Sequence, residues 1–222
     1  MTVTDPNLPP AHPGHNRRDP DPPCPGRDDL ARIPRVVLAR GGRTKADVYE
    51  VEFGGRSMIV KDFGGKPRWI RWFGRLQTAR ECAAYRALEG VEGFPRYHGR
   101  IDPWALALER VVGHRLAFAP DRFSGGRRHV ERLRRAVDRM HAAGVAHLDL
   151  RGRENVLIGE DGRIVIVDLA GAVRLRPGGV LHRMLFPVLA ALDRSAFLKW
   201  KLLLTPALLT SEERLSLIHI SE

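Results

Sequence analysis

"HLDLRGRENVLI", residues 147–158, is the stretch on which the reading of this chain turns. It sets His147, Asp149 and Asn155 in a short polar segment that runs into the apolar strand Val156–Ile158. "GEDGRIVIVDLAGA", residues 159–172, follows at once. Its turn, Glu160-Asp161-Gly162, leads into a second β-branched run, Ile164–Val167, and then into another acid, Asp168. Two such runs joined by a polar, Gly-containing turn predict a hairpin. A hairpin doubles back, so Asn155 at its entrance and Asp168 at its exit are brought together.

Working outward, the pattern stays orderly. His129–Ala143 repeats apolar residues on one helical face (Val130, Leu133, Val137, Met140) and closes on Gly144. Upstream, Val36–Ala39, Val48–Phe53, Ser57–Asp62 and Ala105–Val112 read as strands, with Gly54-Gly55-Arg56 as a hairpin turn and Leu76–Leu88 as a helix. Strands come first and helices dominate later, which predicts an α+β chain in two unequal lobes.

Each remaining chemical group sits on one of these elements. "SMIVKDF", residues 57–63, carries Lys61 at the end of a β-branched strand, in a chain where only five of 37 basic residues are lysine. "TARECAAYRAL", residues 78–88, places Glu81 inside the following helix, where an ion pair with Arg80 or Arg86 would be the local alternative. "ARGGRTKADVYEV", residues 39–51, holds Gly41 and Gly42 before Val48.

Taken in order, these stretches resemble the protein-kinase superfamily, with its Gly-rich loop, strand lysine, helix glutamate, H-R-D-L-x-x-x-N loop and D-F-G. The resemblance covers roughly residues 36–175 with motifs and extends more loosely to residue 214. It implies a two-lobed protein-kinase-like fold, with a small β-rich N-lobe over about 29–112 and a reduced, mainly helical C-lobe over about 113–214. It implies ATP and Mg2+ as cofactors and transfer of the γ-phosphate to a hydroxyl. Asp149 would be the catalytic base, Asn155 and Asp168 the magnesium ligands, and Lys61, held by Glu81, the phosphate-orienting cation. Gly41 and Gly42 would cover phosphate, with Arg43 or Lys45 adding charge. Val48 would pack on the adenine, Leu108 would be the residue before the hinge in the nucleotide site, and the Glu109–Val111 backbone would hydrogen-bond the base.

The departures from the family pattern are informative. Asp149 and Asn155 are six positions apart where the motif has five, so the loop carries one extra residue within Leu150–Glu154. Arg151 and Arg153 are expected to face the acceptor or the γ-phosphate from there. Only one glycine of the Gly-rich loop is in register. Leu148 replaces the motif arginine, and no Ser, Thr or Tyr occurs between Ser124 and Ser195, so activity without activation-loop phosphorylation is expected. No A-P-E follows Asp168, which removes the usual peptide platform. These features point toward atypical bacterial members, similar to lipopolysaccharide-core sugar kinases or small RIO-like kinases. The acceptor is then a protein Ser/Thr or a lipid-linked sugar.

Bulk composition fits this reading without requiring it. The chain has 222 residues and a formal charge of +11, carried mainly by arginine, which favours anionic partners. Cys24 and Cys82 form neither a disulfide framework nor a metal cluster. With no signal segment and no apolar run of spanning length, a cytoplasmic location is expected, peripheral at the inner face of the cell membrane. "KPRWIRWFGRLQTAR", residues 66–80, interleaves aromatics with arginines, a composition suited to anionic membrane or to stacking on nucleic acid. Residues 1–28 hold half of the sixteen prolines and read as a disordered tail. "LSLIHISE", residues 215–222, reads as translated sequencing adapter, which would cut the natural chain short near Arg214. Two other classes compete with the enzyme. A nucleotide-binding pseudokinase scaffold fits the degenerate glycine loop. A nucleic-acid-binding module fits the charge but leaves Lys61, Asp149 and Asp168 without a role.

Overall fold

The computed structural model describes residues 24–42, 44–119 and 125–213. Most of the Pro-rich tail, Arg43 and the adapter-like octapeptide lie outside the described residues. The architecture is mixed α+β, a β-sheet lobe followed by a helical part.

The sheet is antiparallel throughout, in the order β1 (Arg35–Ala39), β2 (Asp47–Phe53), β3 (Arg56–Asp62), β5 (Ala105–Glu109), β4 (Tyr97–Asp102). Phe53 pairs with Arg56, so Gly54-Gly55 forms the whole turn, and both glycines have positive φ, 59° and 74°. This is the backbone that a two-residue hairpin turn demands. Strand alternation then sorts the faces. Val48, Lys61 and Leu106 lie in one cross-strand row on the inner face. Tyr49, Val51, Met58, Val60 and Ala107 form a core on the outer face, covered by Leu30 of α1 (Arg27–Arg32).

That covering helix moves a boundary. The tail was expected to end at residue 28, yet Arg27 is anchored to the outer face. Its Nη1 and Nη2 donate to Asp62 at 2.6 and 2.9 Å, and its Nε donates to Asp102 at 2.6 Å. Asp62 also accepts from the Tyr49 hydroxyl at 2.8 Å and the Gly64 N–H at 2.6 Å.

Helix α2 (Arg68–Ala87) begins eight residues before the expected start, directly after Pro67. Its inward face is Ile70, Gly74, Thr78, Glu81, Cys82 and Tyr85. Small and polar residues on that face hide the apolar period from a sequence reading. Gly74 is there for contact, since a Cβ would stand 2.5 Å from the Phe63 ring.

The helical part contains α3 (Gly126–Ala142) and α4 (Val180–Leu204). β6 (Gly113–Arg115) precedes α3, and between the two helices run β7 (Val145–Ala146), β8 (Val156–Gly159), β9 (Ile164–Ile166) and β10 (Val173–Arg174). The principal core joins both regions. Tyr85 of α2 and Leu88 just past its end, Leu133 and Met140 of α3, Ile166 of β9 and Trp200 of α4 belong to one buried cluster. No helix among the described residues is long and apolar enough to cross a membrane.

Candidate functional site

Lys61 is the hub. It leaves β3 on the inner face, directly across from Val48, and its Nζ donates to Glu81 Oε1 at 2.7 Å and to Asp168 Oδ1 at 2.6 Å. Glu81 reaches it from α2, twenty residues along the chain, and Asp168 from beyond the hairpin. The Lys61 and Glu81 side chains are 14% and 3% exposed, while that of Asp168 is 49% exposed. Burial alone would disfavour the ammonium, but the carboxylates of Glu81 and Asp168 outweigh it and raise the Lys61 pKa above its ordinary value. Burial pushes the Glu81 carboxyl up, and the lysine only partly opposes that. Burial would also raise Asp168, but the field of Lys61 and its bonds to Lys61 and the Ala170 N–H hold it below the usual carboxylate range.

Asp149 comes from a segment built with unusual backbone. Leu148 has φ +65° and Asp168 has φ +64°. A side-chain-bearing residue in that region is strained and persists only when its surroundings hold it. For Leu148 the holder is Asp193 of α4, which is fully buried. Asp193 Oδ1 accepts the Leu148 N–H at 2.8 Å; Oδ2 accepts the His147 N–H at 2.8 Å and His141 Nε2 at 3.0 Å. His147, also fully buried, makes the next link. Its Nε2 lies 3.0 Å from the Val167 carbonyl, which can only accept, so Nδ1 is the unprotonated nitrogen that receives the Asp149 N–H at 3.3 Å.

The six-residue spacing from Asp149 to Asn155 resolves into two successive turns. Gly152 N–H donates to the Asp149 carbonyl, and Asn155 N–H donates to the Gly152 carbonyl. Asn155 Nδ2 then returns to Asp149, at 2.8 Å from its carbonyl and 3.1 Å from Oδ2. A side chain at residue 152 would put its Cβ 2.6 Å from that Nδ2, so glycine is required there. Val156 pairs with Ile166 across the hairpin, and the Val167 N–H donates to the Asn155 carbonyl at 2.9 Å. Asn155 thus stands beside the residue that precedes Asp168.

A cavity of about 360 Å³ opens among these groups. Its lining takes in Gly41, Gly42, Val48, Lys61, Glu81, Asp149 and Asp168 together, with Lys45, Phe63 and Gln77, none of which but Lys45 stood out in the sequence. Four of the expected residues do not line it. Asn155 is buried and reaches the site through Asp149. Leu108 lies on the same sheet face as Lys61 but two positions further along, opposite Ile59, where the principal core covers it. Glu109, expected to bond the base through its backbone, donates its N–H to the Arg96 carbonyl at 2.8 Å, while its carboxylate accepts the Arg96 N–H and pairs with Arg163. It lines a separate groove of about 860 Å³ along Leu88–His98, and Val111 lines neither.

The glycine turn is braced rather than open. The Gly41 N–H donates to Asp47 Oδ1 at 2.9 Å, and Lys66 Nζ bridges the Gly41 carbonyl and Asp47, each at 2.7 Å. Gly42 has open space where a Cβ would stand. On the far side of the loop, Arg151 donates to Ser195 Oγ at 2.9 Å. Arg151, Arg153 and Lys199 rim a hollow of about 270 Å³ floored by Trp200 and Leu203.

Chemically, the cavity offers the buried ammonium of Lys61, the amine of Lys45, two aspartates at its wall and an asparagine amide behind them. Hard oxygen donors with few carboxylates suit a magnesium ion shared with phosphate. Among the described residues no group of three or more His, Cys, Asp or Glu side chains gathers as a self-sufficient metal site. Asp193 escaped the sequence reading, although a signal was present: it is the only acid in the apolar run 180–204, and such a residue needs a partner. No family model and no curated protein matches the chain.

Proposed function

We propose that this chain is an ATP-dependent phosphotransferase of two-lobed, protein-kinase-like fold. It moves the γ-phosphate of ATP, with Mg2+, to a hydroxyl on a protein or on a lipopolysaccharide-type sugar. The observation that carries the reading is the convergence of Lys61, Glu81, Asp149 and Asp168 from four separate elements onto one cavity.

Phosphoryl transfer requires positioning and charge neutralisation more than covalent chemistry. Lys61, kept cationic by two carboxylates, supplies a fixed positive charge for nucleotide phosphates, and Glu81 sets its direction. Asp149 is exposed at the cavity and is aimed by Asn155 Nδ2, which suits it to take the proton of an acceptor hydroxyl. Asp168, at the cavity wall, would hold magnesium, which when bound neutralises phosphate charge, while Asn155, which does not line the cavity, would orient Asp149.

One observation favours the scaffold reading instead: the Gly41 amide is already spent on Asp47, so the glycine turn offers fewer donors to phosphate. Incubation of the protein with γ-labelled ATP, followed by separation into lipid, small-molecule and protein pools, decides between them. Label is expected in one pool and should fall by about 10²–10⁴ in Asp149→Asn, with comparable loss in Asp168→Ala. Nucleotide binding without transfer would establish the scaffold. Absence of nucleotide binding would overturn both.

A further inference from the structure

Helix α2 presents a second functional surface on the face opposite Glu81. Trp69, Trp72, Phe73 and Leu76 are 62%, 67%, 61% and 55% exposed. Their spacing of i, i+3, i+4, i+7 makes one stripe along the first two turns of the helix. Trp72 and Phe73 touch edge to face, with ring centroids 5.3 Å apart, so the stripe is a preassembled apolar ridge. The inward face of the same turns is already occupied by Ile70 and Gly74. Large apolar groups held in water at this density mark an interaction site.

Charge identifies the partner. Residues 66–80 contain five Lys or Arg and no Asp or Glu. Arg68 and Arg75 are exposed and fall on one flank of the stripe, whereas Arg71 stacks over Trp104 at 4.0 Å. An apolar ridge of Trp and Phe with arginines beside it and no acid matches the boundary between headgroups and acyl chains of an anionic bilayer. A protein partner would need acidic groups and a matching groove together, whereas an anionic bilayer supplies negative headgroups and an apolar layer without further specificity.

We infer that the N-terminal half of α2 docks this protein on anionic membrane, with Trp69, Trp72, Phe73 and Leu76 at the acyl boundary and Arg68 and Arg75 on lipid phosphates. Gln77, which lines the cavity, directly follows Leu76, so docking sets the cavity beside the headgroup layer. This inference stands whether or not the cavity transfers phosphate.

Co-sedimentation of the full chain with vesicles tests it. One set contains phosphatidylglycerol and phosphatidylcholine in equal amounts, the other phosphatidylcholine alone. The protein is expected to partition roughly thirtyfold more strongly to the anionic set, the effect of two arginines at the surface. Trp72→Glu combined with Phe73→Glu should reduce that binding at least tenfold, and Arg68→Glu combined with Arg75→Glu should erase the preference for anionic lipid. All four positions are surface ones, so circular dichroism of the variants should match the parent. Failure of the parent to sediment with anionic vesicles overturns the inference. So does equal binding by the aromatic variant, which would reduce the effect to net charge. A parent that is dimeric by light scattering and becomes monomeric in the aromatic variant also overturns it, by assigning the stripe to a second copy of the chain.

Discussion

Asp193→Ala is the substitution whose consequences can be worked most fully. The carboxylate has no solvent exposure and three donors converge on it: the N–H groups of His147 and Leu148 and the ring nitrogen of His141. Alanine leaves the two backbone donors buried without an acceptor, at roughly 1–3 kcal/mol each. It also removes what holds Leu148 at φ +65°, a conformation that costs roughly 1–2 kcal/mol. Relaxation of the loop returns part of this, so the expected net loss is about 3–5 kcal/mol, a large share of an ordinary domain's stability. Asp193→Asn is the more discriminating variant. Leu148 alone bonds Oδ1, whereas His147 and His141 share Oδ2, so the amide oxygen is best placed at the Oδ2 position. One N–H then faces an NH2 group, for about 1–3 kcal/mol. Urea unfolding followed by circular dichroism at neutral pH reads both values, with an unchanged slope as the sign that only stability moved. Phosphotransfer should fall in both variants while nucleotide affinity holds, because Asp193 does not line the cavity. An alanine variant within about 0.5 kcal/mol of the parent, or an asparagine variant as unstable as the alanine one, would refute the assignment of Asp193 as the anchor of this loop.

Two further outcomes are expected. Gly152→Ala should displace buried Asn155, whose Nδ2 would stand 2.6 Å from the new Cβ, and lower stability by about 1–3 kcal/mol as its bonds to Asp149 are lost; a shift near 1 Å also costs about a hundredfold in transfer rate, read as kcat at saturating ATP. Arg27→Ala should destabilise by about 1–3 kcal/mol, discounted because the guanidinium is partly exposed, and it should change the acid limb. In the parent, burial would raise Asp62, but Arg27, the Gly64 N–H and the Tyr49 hydroxyl more than offset it and depress its pKa. That contribution is therefore complete above the ordinary carboxylate pKa of about 4 and is lost as pH falls through the lower folded value. Urea midpoints between neutral pH and pH 3 should decline less in Arg27→Ala than in the parent; parallel declines would contradict this account.

Much of the fold was legible because local rules and burial agree there. The β2–β3 hairpin has its turn glycines and alternating faces, and α3 has an apolar stripe with a glycine beyond its end. Strand β4 was not legible. Its register shifts between Tyr97 and Gly99 and again between Arg100 and Asp102, so bulges break the two-residue alternation that marks a strand. The first turns of α2 failed for a different reason: the helix turns its largest apolar residues outward, so their period points away from the core. Helix α1 is too short to carry a period at all, and what places it is Arg27, a tertiary ion pair with residues 35 and 75 positions away.

The site divides along the same line. Lys61, Glu81 and Asp168 could be expected to meet because each is placed by its own element, and the elements are bound to pack. Leu108 and Glu109 depended on how far the cavity extends along β5, and pairing with Ile59 and Met58, beyond the partner of Lys61, decides that only in three dimensions. The irregular spacing in residues 147–158 belongs to the first kind. One end of the segment is pinned by Asp193 on His147 and Leu148 and by Trp200 Nε1 on the Leu150 carbonyl. The other is pinned by Asn155 on Asp149 and by the Val167 N–H on the Asn155 carbonyl. A span of six positions between two fixed ends bulges outward, as the turn through Gly152 does, with Arg151, Arg153 and Glu154 on its exposed side. The length of this loop therefore sets what it shows to solvent while Asp149 and Asn155 remain in contact.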